Sequence, residues 1–189
     1  MLVLSGRTRM LAFLIFLQAG NFVQGAGTNY VWNWANNTNW SDSDNWDATN
    51  APNGSYPGFS SANDNVLIGG LSRSNFPATA GLNVNVTINN MTIQSNGGLN
   101  LLAGSSLTVS NVDLQGDLDI TGSGVITNLG LFRKSGGTGS SVIYLSFRNQ
   151  GGTIEVDSGR LWLANTNFIL HRIATGTFVV AEGAVVDVS

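Results

Sequence analysis

Short runs of alternating apolar and small polar residues fill most of this chain. Asn83-Val84-Asn85-Val86-Thr87-Ile88 is one such run. Ser106-Leu107-Thr108-Val109, Asp117-Leu118-Asp119-Ile120, Thr153-Ile154-Glu155-Val156 and Arg160-Leu161-Trp162-Leu163 are others. Side chains on an extended strand point alternately to opposite faces, so a period of two buries one face and wets the other. Glycine, serine or asparagine separates nearly every run and lets the backbone bend where a larger side chain would obstruct it. Helical periodicity is nearly absent after residue 25. The pattern predicts an all-β chain of short, half-buried strands.

The runs also recur. Leu107, Val125, Ile143, Leu161 and Val179 are apolar at a spacing of 18 residues, and Val109, Thr127, Leu145, Leu163 and Ala181 form a second, mostly apolar column. A third reads Leu114, Phe132, Gln150, Phe168 and Val186. The phrase Gly116-Asp117-Leu118-Asp119-Ile120 is answered two such periods later by Gly152-Thr153-Ile154-Glu155-Val156. A β-sandwich also has short strands and regular turns, but it does not require apolar columns in one register. The reading is therefore a single-stranded β-solenoid with coils of about 18 residues stacked about 4.8 Å apart. Apolar positions five to seven apart, rather than strictly six, favour a right-handed parallel β-helix over a left-handed hexapeptide coil.

The division expected is residues 1–25 as an export signal, 26–82 as a capping segment and 83–189 as roughly six coils. Arg7 and Arg9 precede the compact apolar run Leu11–Leu17, and Val23-Gln24-Gly25 offers small residues for cleavage. The run is well short of the roughly 20 residues that cross a bilayer, so the mature chain is expected to be secreted or held at the cell surface, with no transmembrane segment. Residues 26–82 hold Trp32, Trp34, Trp40 and Trp46 and all three prolines. Large aromatics there would cover the unpaired edge of the first coil. The other end stops within the alternating run Gly183–Ser189. It is expected either to continue in a longer protein or to pair its open edge with another chain.

Composition narrows the classes. Without residues 1–25, which hold two arginines and no acidic residue, the formal charge moves from −3 to −5. Only 10% of residues are charged, so no basic footprint exists for nucleic acid. The absence of cysteine removes disulfides, thiolate metal sites and thiol nucleophiles.

In the N-terminal segment Asn39-Trp40-Ser41, Asn45-Trp46, Pro57-Gly58 and Asp64-Asn65-Val66-Leu67-Ile68 follow one another. This W…NW…P…D-x-V-x-I order resembles the opening of exported bacterial β-helix surface proteins, including autotransporter-like passengers and adhesins. Arg133-Lys134-Ser135-Gly136 and the stretch Phe147–Leu161 look like their glycine-punctuated repeats. The resemblance implies a non-catalytic surface or matrix role.

Candidate sites are few. Asp113, Asp117 and Asp119 form a dense carboxylate cluster, and alternation aims Asp117 and Asp119 outward about 7 Å apart. Such a pair can serve as acid and base on a polysaccharide or bind calcium, yet Arg133, Lys134 and Arg148 lie one or two coils away. Asp42, Asp44 and Asp47 alternate partly as calcium ligands do, but without the glycine and distal glutamate of an EF-hand they read as turn and cap residues. Trp32, Trp34, Trp40 and Trp46 either stack on sugar rings or cover the core, and covering is the commoner role of large aromatics. His171, alone, builds neither a metal site nor a triad. Sequons begin at Asn36, Asn39, Asn53, Asn85 and Asn90. The asparagine and threonine excess also suits side-chain ladders in the bends. Thr87, Thr92, Thr108 and Thr121 do not fall in one 18-residue column, which speaks against a flat threonine face of the ice-binding kind.

The expectation is an adhesive or structural extracellular solenoid with no catalytic residue, resident metal or cofactor. Its partners would be glycans, matrix or copies of itself, met through its outer face or its open C-terminal end. The alternative is a polysaccharide lyase or glycoside hydrolase on the same coil, using Asp113, Asp117 and Asp119.

Overall fold

The alternating runs become the rungs of two parallel sheets. In the computed structural model, described for residues 27–69, 78–164 and 172–188, these sheets form a β-solenoid of about five turns, 21 residues apart. The predicted export signal, Pro77 and His171 lie outside the described residues. The strands are β1 (Asn29–Trp32), β2 (Trp46–Ala48), β3 (Asn65–Ile68), β4 (Ala78–Leu82), β5 (Asn85–Gln94), β6 (Gly97–Leu101) and β7 (Ser106–Gln115). They continue as β8 (Asp119–Gly122), β9 (Val125–Gly136), β10 (Ser140–Ile143), β11 (Ser146–Val156), β12 (Arg160–Leu163), β13 (Arg172–Val180) and β14 (Val185–Val188). The eight-stranded sheet runs β13-β11-β9-β7-β5-β3-β1-β2, and the six-stranded sheet β14-β12-β10-β8-β6-β4. Odd and even strands thus alternate between two walls, one circuit per turn. Among the described residues, no helix is long and apolar enough to cross a membrane.

Inward residues of each rung stack on those of the next. In the long sheet Met91, Val112, Phe132 and Ile154 form one column. Val86, Leu107, Ile126 and Phe147 form another. In the short sheet Ala80, Leu99, Ile120, Ile143 and Leu163 do the same. Nearly all of these are fully buried, and they meet in one continuous core. Phe132 and Phe147 pack edge to face with centroids 4.9 Å apart, a favourable arrangement for rings whose faces are negative and edges positive.

The 18-residue coil is corrected by the register. From β3 onward, opposed residues lie from 19 positions apart (Ser106 and Val125) to 25 (Asn65 and Asn90), and in the first coil Asn29 opposes Asn65, 36 positions on. Leu107 stacks on Ile126, while Val125 lies between Ser106 and Ser146, so the 18-residue columns are not structural. An even offset along an alternating chain lands on apolar residues without requiring them to stack. Residues 116–120 end in β8 of the short sheet and 152–156 lie in β11 of the long one, so that repeated phrase does not mark equivalent positions. Register shifts around Asn149, Gln150 and Thr153 absorb the extra residues of the longer coils.

The sheets already begin inside residues 26–82. β1, β3 and β4 are rungs, while β2 returns antiparallel along β1, with Trp46 opposite Trp32, and closes that edge. The aromatic-rich segment is therefore both first coil and lid.

Candidate binding surface

The W…NW…P…D-x-V-x-I residues form a single locked cap. Trp40 donates its indole N–H to the Pro57 carbonyl at 3.0 Å, and Trp46 donates to the Trp40 carbonyl at 2.7 Å. Trp46 packs edge to face against Trp40 and Trp32, with centroids 4.7 and 4.8 Å away. Asp64 is fully buried and accepts the Thr28 and Gly58 amides, each at 3.0 Å. Val66 and Ile68 enter the core. Trp32, Trp40 and Trp46 are buried and Trp34 is partly buried against the core. Three of the four indoles proposed for sugar stacking are thus inside the lid.

Of the nearby acids, Asp42 and Asp44 belong to a short turn and Asp47 lies in β2. Asp42 caps the short 3-10 turn Ser43–Asn45 through the Asp44 amide and also accepts the Asn36 and Asn37 side chains. The Asp44 amide first, then these two side chains, hold its carboxyl below the usual value. Asp47 accepts Asn33 at 2.9 Å, and Asp44 points to solvent. Among the described residues, no group of three or more histidine or acidic side chains is placed to hold a metal.

The cluster Asp113, Asp117 and Asp119 is dispersed by the bend between β7 and β8. Asp113 faces outward on the long sheet opposite Arg133, and Asp119 is exposed on the short sheet opposite Val142. Asp117 sits at the bend, where it accepts Lys134 Nζ at 3.0 Å and the Gly139 amide at 3.0 Å. That lysine contact, ahead of the Gly139 amide, holds its carboxyl below the ordinary value. Arg133 and Lys134 are one coil on in sequence, and because one coil is one rung of space the stacking sets them against Asp113 and Asp117.

Lys134 is the least expected residue. It occupies an inward column between Leu114 and Val156 and is fully buried. Its ammonium escapes the apolar column by reaching the carbonyls of Gly116 and Gly136, at 3.3 and 2.5 Å, beside Asp117. The turn has no room for side chains. Gly137 has φ +76°, and a Cβ there would fall 2.3 Å from Asp117 Oδ1.

On the outer long sheet, Arg133 bridges rungs. Its guanidinium contacts Asp157 at 2.5 Å and Glu155 at 3.6 Å. Burial first, and then the neighbouring Asp157, push the Glu155 carboxyl above its ordinary value.

Polar ladders run up the same sheet. Asn29, Asn65, Asn90 and Asn111 hand amide hydrogen bonds from rung to rung at 2.9, 2.5 and 2.8 Å. Asn90, buried in this ladder, is the least accessible of the sequon asparagines. Thr87, Thr108 and Thr127 do share an outward column, contrary to the 18-residue count, beside the bonded pair Asn85 and Ser106. On the short sheet, Tyr144 and Trp162 face outward; neither stood out in the sequence, because they fall in separate runs with no common motif.

Fold and side chains are the guides to function here, since comparison with protein-family models, curated proteins and solved structures finds no match.

Proposed function

We propose that the chain is an extracellular adhesive or structural β-solenoid module that binds glycans, matrix or copies of itself without chemistry. The threonine column Thr87, Thr108 and Thr127, flanked by Asn85 and Ser106, carries this reading. A parallel stack sets hydroxyl and amide groups at the rung spacing of about 4.8 Å on a rigid wall, which suits many weak, simultaneous contacts. Export and a surface location follow from the N-terminal apolar segment, and likeness to bacterial β-helix adhesins agrees with them.

The test is retention of the purified chain on a panel of immobilised polysaccharides, with reducing ends and unsaturated products followed in the same wells. Retention without product supports adhesion, and failure to be retained on any polymer, matrix protein or copy of itself removes it. The second reading, polysaccharide cleavage, draws on the raised Glu155 carboxyl beside Asp157 and Arg133. Product release that Glu155→Gln abolishes would establish it.

A further inference from the structure

The six-stranded sheet shows an outward face that core packing does not account for. One column across it is Asp119, Val142, Trp162 and Asp187. The neighbouring column holds Asn100 and Thr121, and Tyr144 continues it. The Tyr144 amide bonds to the Ile120 carbonyl and keeps the tyrosine in line with the rungs. Tyr144 is 48% exposed, and Trp162, outside the core cluster, is partly exposed with the Arg160 guanidinium over its ring.

We propose that this face is a glycan platform on which Tyr144 and Trp162 stack against sugar rings while Asp119, Thr121 and Asn100 bond their hydroxyls. It rests on the adhesive reading above and narrows its ligand to a neutral polysaccharide. Tyr144 and Trp162 lie on adjacent rungs and two residues out of register. Their attachment points are therefore about 8 Å apart, which sets the two rings side by side along one face. The C–H face of a pyranose is weakly positive and suits the negative face of an aromatic ring, whose polar tip stays wet. Sugar hydroxyls also need acceptors in fixed places. Asp119 is exposed at one side, and Thr121 is oriented by its 3.4 Å contact with Asn100.

The surroundings favour a neutral, narrow ligand. Arg160 lies 5.0 Å from the Trp162 ring centroid and pairs with Asp187, so the guanidinium is neutralised and helps hold the indole. Among the described residues of this face, the paired Arg160 leaves no net positive charge to attract an acidic polymer. A stable protein partner would need about 800 Å² on each side, with an apolar centre. Here Val142, between the aromatics, is already only 7% exposed. A parallel wall paired on both sides is preorganised, so little is lost in ordering it.

The experiment measures retention of the full chain on cellulose, xylan and mannan, with pectate and alginate as acidic counterparts. Wild type should bind at least one neutral polymer. Tyr144→Ala and Trp162→Ala should each weaken binding tenfold or more, as truncation of an aromatic anchor does. Tyr144→Phe should bind nearly as well as wild type, and Asn53→Ala, in an exposed loop at the capped end, should be unchanged. Asp119→Asn, at an exposed position, should also weaken retention. Unchanged thermal unfolding of the variants would exclude misfolding as the cause. Retention that survives both alanine variants overturns the platform and leaves the adhesive reading standing. Wild type bound to no polysaccharide removes the platform; bound also to no matrix protein and no copy of itself, it removes the adhesive reading too. Binding confined to pectate or alginate, or variants that lose only a protein contact, overturns the assignment to neutral glycans.

Discussion

The two ends of the stack solve the same problem differently. At the first coil, Tyr30, Trp32, Trp40 and Trp46 close over the core with at most 6% of any side chain exposed, and β2 pairs the free edge of β1. In the last described coil the residues that extend the core columns are far more exposed. Phe178 continues the column of Phe132 and Ile154, Val180 that of Val156, and Val188 that of Leu163. They are 44–47% exposed. A rung is buried only by its two neighbours, so a solenoid is as stable at an end as whatever covers that end. The difference teaches that tryptophans in this fold belong to a lid first, and that an uncovered rung is a surface for another strand.

The lid is the place to break this comparison hardest. Trp40→Ala should cost about 3–5 kcal/mol, the range for deleting a buried aromatic, and should lower the denaturant midpoint of the whole chain. Should the midpoint stay put, the lid would be separable from the stack. In the middle of the stack, Lys134→Met fits the column but takes the ammonium from the Gly136 carbonyl and from Asp117, while Ser141 Oγ still donates to the Gly116 carbonyl. A loss of about 2 kcal/mol is expected, and none would mean the bend rests on Gly137 alone. In the ladder, Asn90→Leu leaves Asn65 Oδ1 without its donor and Asn111 Nδ2 without its acceptor, and should cost about 1–3 kcal/mol by the same measurement.

The last described coil should behave in the opposite way. Val180→Lys should shift stability by no more than about 0.5 kcal/mol, as exposed substitutions do. If the last coil pairs with a second copy, the same change should abolish concentration-dependent association in sedimentation. Association that persists would place self-contact elsewhere.

The smallest effects concern pH, and two carboxyls pull in opposite directions. Asp117 has its value lowered, so its contribution is present above 3.8 and is lost as pH falls through the folded-state value. Glu155 has its value raised, so its contribution is present below 4.5 and is lost as pH rises through the folded-state value. Glu155→Gln should therefore flatten the rise-side loss and leave the acid-side loss intact. Unfolding midpoints measured across the acid range check both signs.

The strand content and facing were legible in the chain. Alternation is a local property, and the runs in β5, β7, β8, β11 and β12 point their apolar residues inward as their period demands. In the aromatic segment Trp32, Trp40 and Trp46 are buried, the commoner place for rings of that size. Residue partnerships were not legible. Coil length varies with each bend and bulge, so no fixed count predicts that Lys134 meets Asp117, that Arg133 meets Asp157, or that three threonines line up. The acidic triplet shows the converse, since Asp113, Asp117 and Asp119 are near in sequence yet face different walls. By itself the sequence determined that this protein is built from strands that each bury one face, because side-chain direction along a strand needs only the neighbouring residues. Which side chains share a surface was decided by the stacking register, because hydrogen bonding between coils and the lengths of the bends set it across the whole molecule.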